Sequence, residues 1–242
     1  MSVSGRAAPS DDPQRDWEAW RAERHRSVTA PTGNLALVET RWLPAGELPD
    51  LDTVRAEQPD TVTVTALDRT DLVTGEPEHG LRRWDANAPA LRDFERIDAF
   101  PYDPRWVLDA TYTPVEGARL VAFEHLRDNG GTREKVVPGD ITLTVDGTAY
   151  TLSAFDDDGT LLLVFGDPTN GDSTYGAGRF LFVEHTGEGR VRLDFNRAFV
   201  PPCGFSDQYN CPMPPRQNRF HLPVEAGEKL PVFRGGAAGT AH

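Results

Sequence analysis

At 242 residues, 38% of them apolar and 26% charged, the chain can bury a sizeable core, in one large β-rich domain or two small ones. Its net charge of −13 repels polyanions, which argues against nucleic-acid binding, and 22 Gly with 20 Pro favour many short elements over a few long helices. No run approaches the roughly 18 to 20 apolar residues of a membrane-spanning helix. Residues 1–14 hold no apolar stretch of a secretory signal, so a cytoplasmic protein without a membrane partner is expected.

Residues 1–10 read as a disordered tail, 11–234 as a single β-rich domain and 235–242 as a second tail. Asp11-Asp12-Pro13 opens a helix running to about Arg26, because Asp caps free N–H groups and Pro suits the first turn. Trp17, Trp20 and Arg24 share one face, and the two Trp are expected to anchor the helix on the core. Arg15, Arg21, Arg24 and Arg26 alternate with Asp16, Glu18 and Glu23, as on a solvated face. Pro44, Gly46, Pro49 and Pro59 mark 44–60 as loop, whereas the β-branched alternation of Thr61 to Thr65 predicts a strand. A further strand is expected from Trp106 to Tyr112.

From Ile141 the pattern becomes regular. Strands are expected at 141–145, 148–155, 161–165, 179–185 and 190–199. They are separated by Asp146-Gly147, by Asp156-Asp157-Asp158-Gly159, by a loop over 166–178 and by Thr186-Gly187-Glu188-Gly189. Five strands on short turns must curl into a barrel or pack on a second sheet. The predicted fold is therefore mainly β, a curved antiparallel sheet or barrel meander with an N-terminal α-helix packed on it.

No stretch matches a motif of known chemistry. The Asp156–Gly159 run lacks the Glu of a calcium loop, and Gly176-Ala177-Gly178 lacks both a third Gly and a following helix. No Ser has a Gly-x-Ser-x-Gly setting, and His25, His79, His125, His185 and His221 are scattered. No cofactor and no metal are expected. Cys203 and Cys211 are loop thiols eight positions apart, open to three readings: two free thiols, a reversible disulfide, or metal or redox chemistry. A disulfide closing so short a loop would stabilise by about 2 to 3 kcal/mol. A zinc site would need two further ligands that no spacing here supplies.

The polar residues of 166–218 are the candidate site. Asp167 follows one strand, Arg179 starts the next, and the loop between them carries Tyr175, so the three are expected to meet at one rim. On the last strand, alternation puts Asp194 and Asn196 side by side, away from the apolar face of Val191, Leu193 and Phe195. These five side chains could pin the loops. They could line a pocket for a small polar ligand, the reading preferred here, in which case Arg179→Ala should leave the fold largely intact. A hydrolase using Asp167 and Asp194 as an acid–base pair is the alternative. The third is a protein-interaction module using the Pro-rich 200–215 loop, with an exposed apolar patch around Phe199, Phe205 and Met213. Enzymatic and non-enzymatic readings both stand at this level, as do monomer and oligomer.

One long ordered pattern carries a resemblance. Asp167-Pro168-Thr169-Asn170-Gly171, Thr174-Tyr175-Gly176-Ala177-Gly178-Arg179-Phe180-Leu181, Leu193-Asp194-Phe195-Asn196, Pro201-Pro202-Cys203, Cys211-Pro212-Met213-Pro214-Pro215 and Asn218 resemble the bacterial domain-of-unknown-function family sixteen eighty-four. The likeness covers roughly 140–230, with weaker likeness at Phe94 to Ala110 and at the Trp17/Trp20 helix. It implies no established activity. Many relatives look like exported lipoproteins, and this sequence lacks their leader, which argues against a permanent Cys203–Cys211 disulfide. Residues 34–60 also depart from the family's Gly-rich hairpin.

Overall fold

The computed structural model describes residues 12–70, 74–127 and 132–236, so the tail expected over 1–10 and most of that over 235–242 lie outside the described residues. Helix α1 (Pro13–Thr29) begins where the carboxylate of Asp12 accepts the N–H groups of Gln14 and Arg15, with Pro13 in the first turn. It docks through buried Trp17 and Val28, and the Trp17 indole N–H donates to the Asn196 carbonyl at 2.9 Å. Trp20 is only half-buried, so a single Trp carries most of the anchoring.

After α1 comes a three-stranded sheet of β1 (Leu37–Trp42), β3 (Pro77–Asp85) and β2 (Val62–Thr70), in that order. The segment 44–60, expected as loop, contains a short helix, α2 (Leu51–Ala56). Asp50 makes it possible, accepting the Thr53 N–H and, on its second oxygen, the Thr53 hydroxyl. After α3 (Pro89–Asp93), strand β4 (Phe94–Ala99) pairs with β11 (Glu228–Phe233) as a separate ribbon.

The centre is a closed antiparallel barrel. Its strands are β5 (Val107–Glu124), β6 (Thr132–Val145), β7 (Thr148–Asp157), β8 (Thr160–Phe165), β9 (Arg179–Gly187) and β10 (Arg190–Asp194), and β10 pairs back onto β5. The barrel meander expected from the sequence is therefore present, with six strands. Three of its hairpins turn on a residue with positive φ followed by Gly: Asp146-Gly147, Asp158-Gly159 and Glu188-Gly189. Such pairs match the right-handed twist of the flanking strands, which explains the strength of those turn signals.

The last strand is shorter than expected. At Asp194 the side chain accepts the Asn196 N–H at 3.1 Å, and the chain winds into a 3₁₀ turn over Phe195–Arg197. The alternation proposed for Asp194 and Asn196 therefore stops before Asn196.

Two apolar layers sit on either side of the barrel wall. Inside, Ile141, Leu152, Leu163, Leu181, Val191 and Leu193 fill the barrel, and Phe165, Phe195 and Phe220 meet edge to face at 5.2, 5.5 and 5.9 Å. Outside, Leu162, Val164 and Phe180 lie under Val28, Leu35, Val200, Cys203 and Phe205. Burial on both faces explains the unbroken apolar run of β8. Among the described residues no helix is long and apolar enough to cross a membrane.

Candidate functional site

The five side chains singled out in the sequence form separate networks rather than one rim. In the first, Arg179 is fully buried and pairs with Asp167 at 2.8 Å. The same guanidinium donates to the carbonyls of Val224 at 2.8 Å and Ala226 at 2.5 Å. Asp167 also accepts the Thr169 N–H and hydroxyl and the Val224 N–H, so its oxygens are fully engaged. Burial lowers the Arg179 pKa, with Asp167 opposing the shift. The pair ties the 166–178 loop and the 224–228 segment to the end of the barrel.

A second buried charge extends this network. Glu228 pairs with Arg24 of α1 at 3.1 Å and accepts the Val200 N–H at 2.7 Å, while Arg24 donates to the Val200 carbonyl at 2.8 Å. Burial raises the Glu228 pKa, with Arg24 opposing. The folded protein thus holds this proton more tightly than the unfolded chain. The stability so gained is full below the ordinary glutamate value and is lost as pH rises through the raised one. Glu228→Gln, neutral at every pH, should abolish that loss. Urea unfolding across this window is expected to show wild type falling relative to the variant as pH increases, and parallel profiles would refute the assignment.

Asp194 and Asn196 belong elsewhere. The Asn196 amide grips the backbone of Asp103, accepting its N–H at 2.8 Å and donating to its carbonyl at 2.9 Å, and also donates to Asp194 at 3.0 Å. Asp194 pairs with Arg197 at 3.2 Å. Among the described residues no hydrogen bond or ion pair joins this cluster to Asp167. The expected acid–base pair is thereby corrected: each carboxylate is held by its own arginine. Tyr175 bonds instead to the Cys203 loop. It is buried, its pKa is pushed up by burial, and its hydroxyl donates to the Cys203 carbonyl at 3.2 Å. The apolar patch expected around Phe199, Phe205 and Met213 is also corrected, since Phe205 is buried and the other two are half-buried.

A turn of the 166–218 region is seated where β7 and β8 part. Their ladder runs from Asp157 opposite Thr160 to Phe155 opposite Leu162 and then stops. Asn218, fully buried, fills the opening. Its amide accepts the Ser153 N–H at 2.9 Å and donates to the carbonyls of Ser153 and Val164, each at 2.8 Å. Bonds from Gly166 N–H to the Asn218 carbonyl, and from Phe220 N–H to the Gly166 carbonyl, fix the segment on both sides. The flanking residues Arg216 and Arg219 are therefore held on an anchored turn (Arg216–Asn218) although their side chains are exposed.

Beside this turn is a groove of about 300 Å³, lined by Ala122, Glu124, Pro214, Pro215, Arg216 and Arg219 among others. Among the described residues neither arginine has an ion-pair partner. A further cleft of about 290 Å³ lies at Leu43, Pro44 and Glu76–His79, away from the 166–218 region. No group of three or more His, Cys, Asp or Glu among the described residues could hold a metal ion.

Residues 92–229, more than half of the chain, match the model of the DUF1684 family, described as a protein of unknown function. The chain belongs to this family. No curated protein matches it. A solved structure with sequence likeness is the solution NMR structure of the uncharacterized protein from gene locus rrnAC0354 of Haloarcula marismortui. It is 33% identical, with 58% of this chain and 80% of that chain covered and a TM-score of 0.48.

The DUF1684 match spans both buried networks and the groove, but not Arg24. Sequence reasoning missed Arg216, Arg219, Glu228 and Arg24 as site or network residues. Two arginines three positions apart after Pro214-Pro215, in so acidic a chain, were the available signal. Nothing local in Glu228 announces burial, because its partners come from residues 24 and 200.

Proposed function

We propose that this protein binds a small anionic molecule, a carboxylate or phosphate, in the groove beside Arg216 and Arg219. The observation that carries the reading is a pair of guanidinium groups, without partners among the described residues, at a turn anchored by buried Asn218 and beside a cleft of ligand size. Arginine presents a planar fork suited to either anion, and charge-assisted hydrogen bonds are the stronger kind. The two prolines give the facing wall little conformational freedom to lose on binding. Glu124 supplies an acceptor for a hydroxyl or amine on the same ligand. Asp167, Tyr175, Arg179, Asp194 and Asn196 do not line this groove, and their contacts hold the surrounding loops.

Because the site is open and the protein acidic, binding should be modest and should weaken with salt. In a thermal-shift and calorimetric screen of carboxylates, phosphates and neutral sugars, anions are expected to bind at low salt. Arg216→Ala or Arg219→Ala should each reduce affinity about ten-fold, equivalent to about 1.4 kcal/mol, with the unfolding midpoint unchanged. Binding untouched by both substitutions, or an anion series without a hit, would refute the reading.

A further inference from the structure

The structure assigns Cys203 and Cys211 as a redox-active dithiol that closes to an intramolecular disulfide with hydrogen peroxide as oxidant. The geometry carries this. Both cysteines are reduced and buried, at 4% and 6% exposure, and the Cys203 backbone N–H donates to the Cys211 sulfur at 3.3 Å. The Cys211 end of their loop is fixed to the end of β5. Leu126 N–H donates to the Cys211 carbonyl at 3.1 Å, Met213 N–H to the Glu124 carbonyl at 2.7 Å, and His125 bridges Pro212. At the other end the Tyr175 hydroxyl holds the Cys203 carbonyl. Cross-linking thus joins two fixed positions, one of whose backbone N–H groups already touches the other's sulfur.

The local chemistry agrees. The thiol of Cys211 hydrogen-bonds to Cys203 and lowers its pKa, against the effect of burial, with Tyr175 and Arg127 acting in the same direction as Cys211. The thiolate is the reactive form. Cys203 sulfur attacks one peroxide oxygen, the O–O bond breaks, and the departing hydroxide takes up a proton to leave as water. The Cys203 sulfenic acid is then attacked by Cys211 sulfur. The S–O bond breaks, and the hydroxyl leaves as a second water carrying the Cys211 proton. Two thiols are oxidised and one peroxide is reduced. Near-complete burial restricts direct attack to a compact oxidant. This chemistry is independent of the proposed groove ligand.

The test uses the full chain in three forms: wild type, Cys203→Ala and Cys211→Ala, each first shown to be folded by circular dichroism. After brief hydrogen peroxide treatment under native conditions, wild type should lose both titratable thiols and two hydrogens in mass. A single peptide should link residues 203 and 211, and a dithiol reductant should restore both thiols. Cys211→Ala, lacking the resolving thiol, should accumulate a sulfenic acid at Cys203 that a cyclic dione traps, whereas Cys203→Ala should label at least ten-fold more slowly. Persistence of both thiols in folded wild type, intermolecular dimers as the main product, or equal labelling of the two variants would overturn the assignment. The wild-type peptide map stands even if a variant fails to fold.

Discussion

Asp167→Ala is expected to destabilise the protein by about 3 to 5 kcal/mol, the loss typical when one partner of a buried pair is removed and the other charge is left uncompensated. Arg179 would remain fully buried, without the carboxylate it pairs with and with its Nε already lacking a partner among the described residues. Against a total stability of about 5 to 15 kcal/mol for a typical domain, this removes much of the margin. Arg179→Ala should be at least as damaging, because it also strands the carbonyls of Val224 and Ala226. That reverses the expectation, drawn from sequence, that Arg179 could be replaced with the fold largely intact. Glu23→Ala, which breaks an exposed pair with Arg26 on α1, is the control and should change stability by less than about 1 kcal/mol. Denaturant titrations of the variants decide the matter. A cost below about 1 kcal/mol for Asp167→Ala would mean that the pair is not the clasp described.

Gly178→Ala should cost about 2 to 5 kcal/mol, from two causes that add. The residue sits at φ of 90°, where an L side chain loses roughly 1 to 2 kcal/mol. A Cβ there would also lie 2.4 Å from Pro214 Cγ and 2.7 Å from the Phe165 carbonyl, and relieving such overpacking costs about 1 to 3 kcal/mol. Since Pro214 lines the groove, the substitution should weaken anion binding as well as lower the denaturation midpoint. Gly171→Ala provides the comparison: its φ is 83° but nothing lies within 4 Å of the added carbon, so only the backbone term applies. Equal effects from the two would refute the contact with Pro214.

The barrel was legible because its signals are local. Two-residue alternation in 141–145, the Asp146-Gly147 turn and the apolar run of β8 each report on neighbours a few residues away. The same holds for the start of α1 at Asp12-Pro13. What could not be read depends on partners far along the chain. β3 and β4 lack clean alternation, and β11 gains its place by pairing with β4 more than a hundred residues earlier. The sequence did identify that Asp167 and Arg179 would meet, since they flank one loop between adjacent strands. It placed Asn196 wrongly because the cap supplied by Asp194 ended the strand within it. Burial, which turned a supposed pocket lining into a clasp, is a property of the assembled layers and has no local signature.

The barrel closes where Thr111 of β5 faces Arg190 of β10, a pairing between segments separated by the four intervening strands. Every other junction in the cylinder joins strands that follow one another in the chain. Loop-closure entropy makes that long-range junction the costliest to form, so it should zip late and limit the rate of folding. Until it does, both margins of the open sheet expose unpaired backbone groups to other chains, which places the period of greatest aggregation risk just before closure.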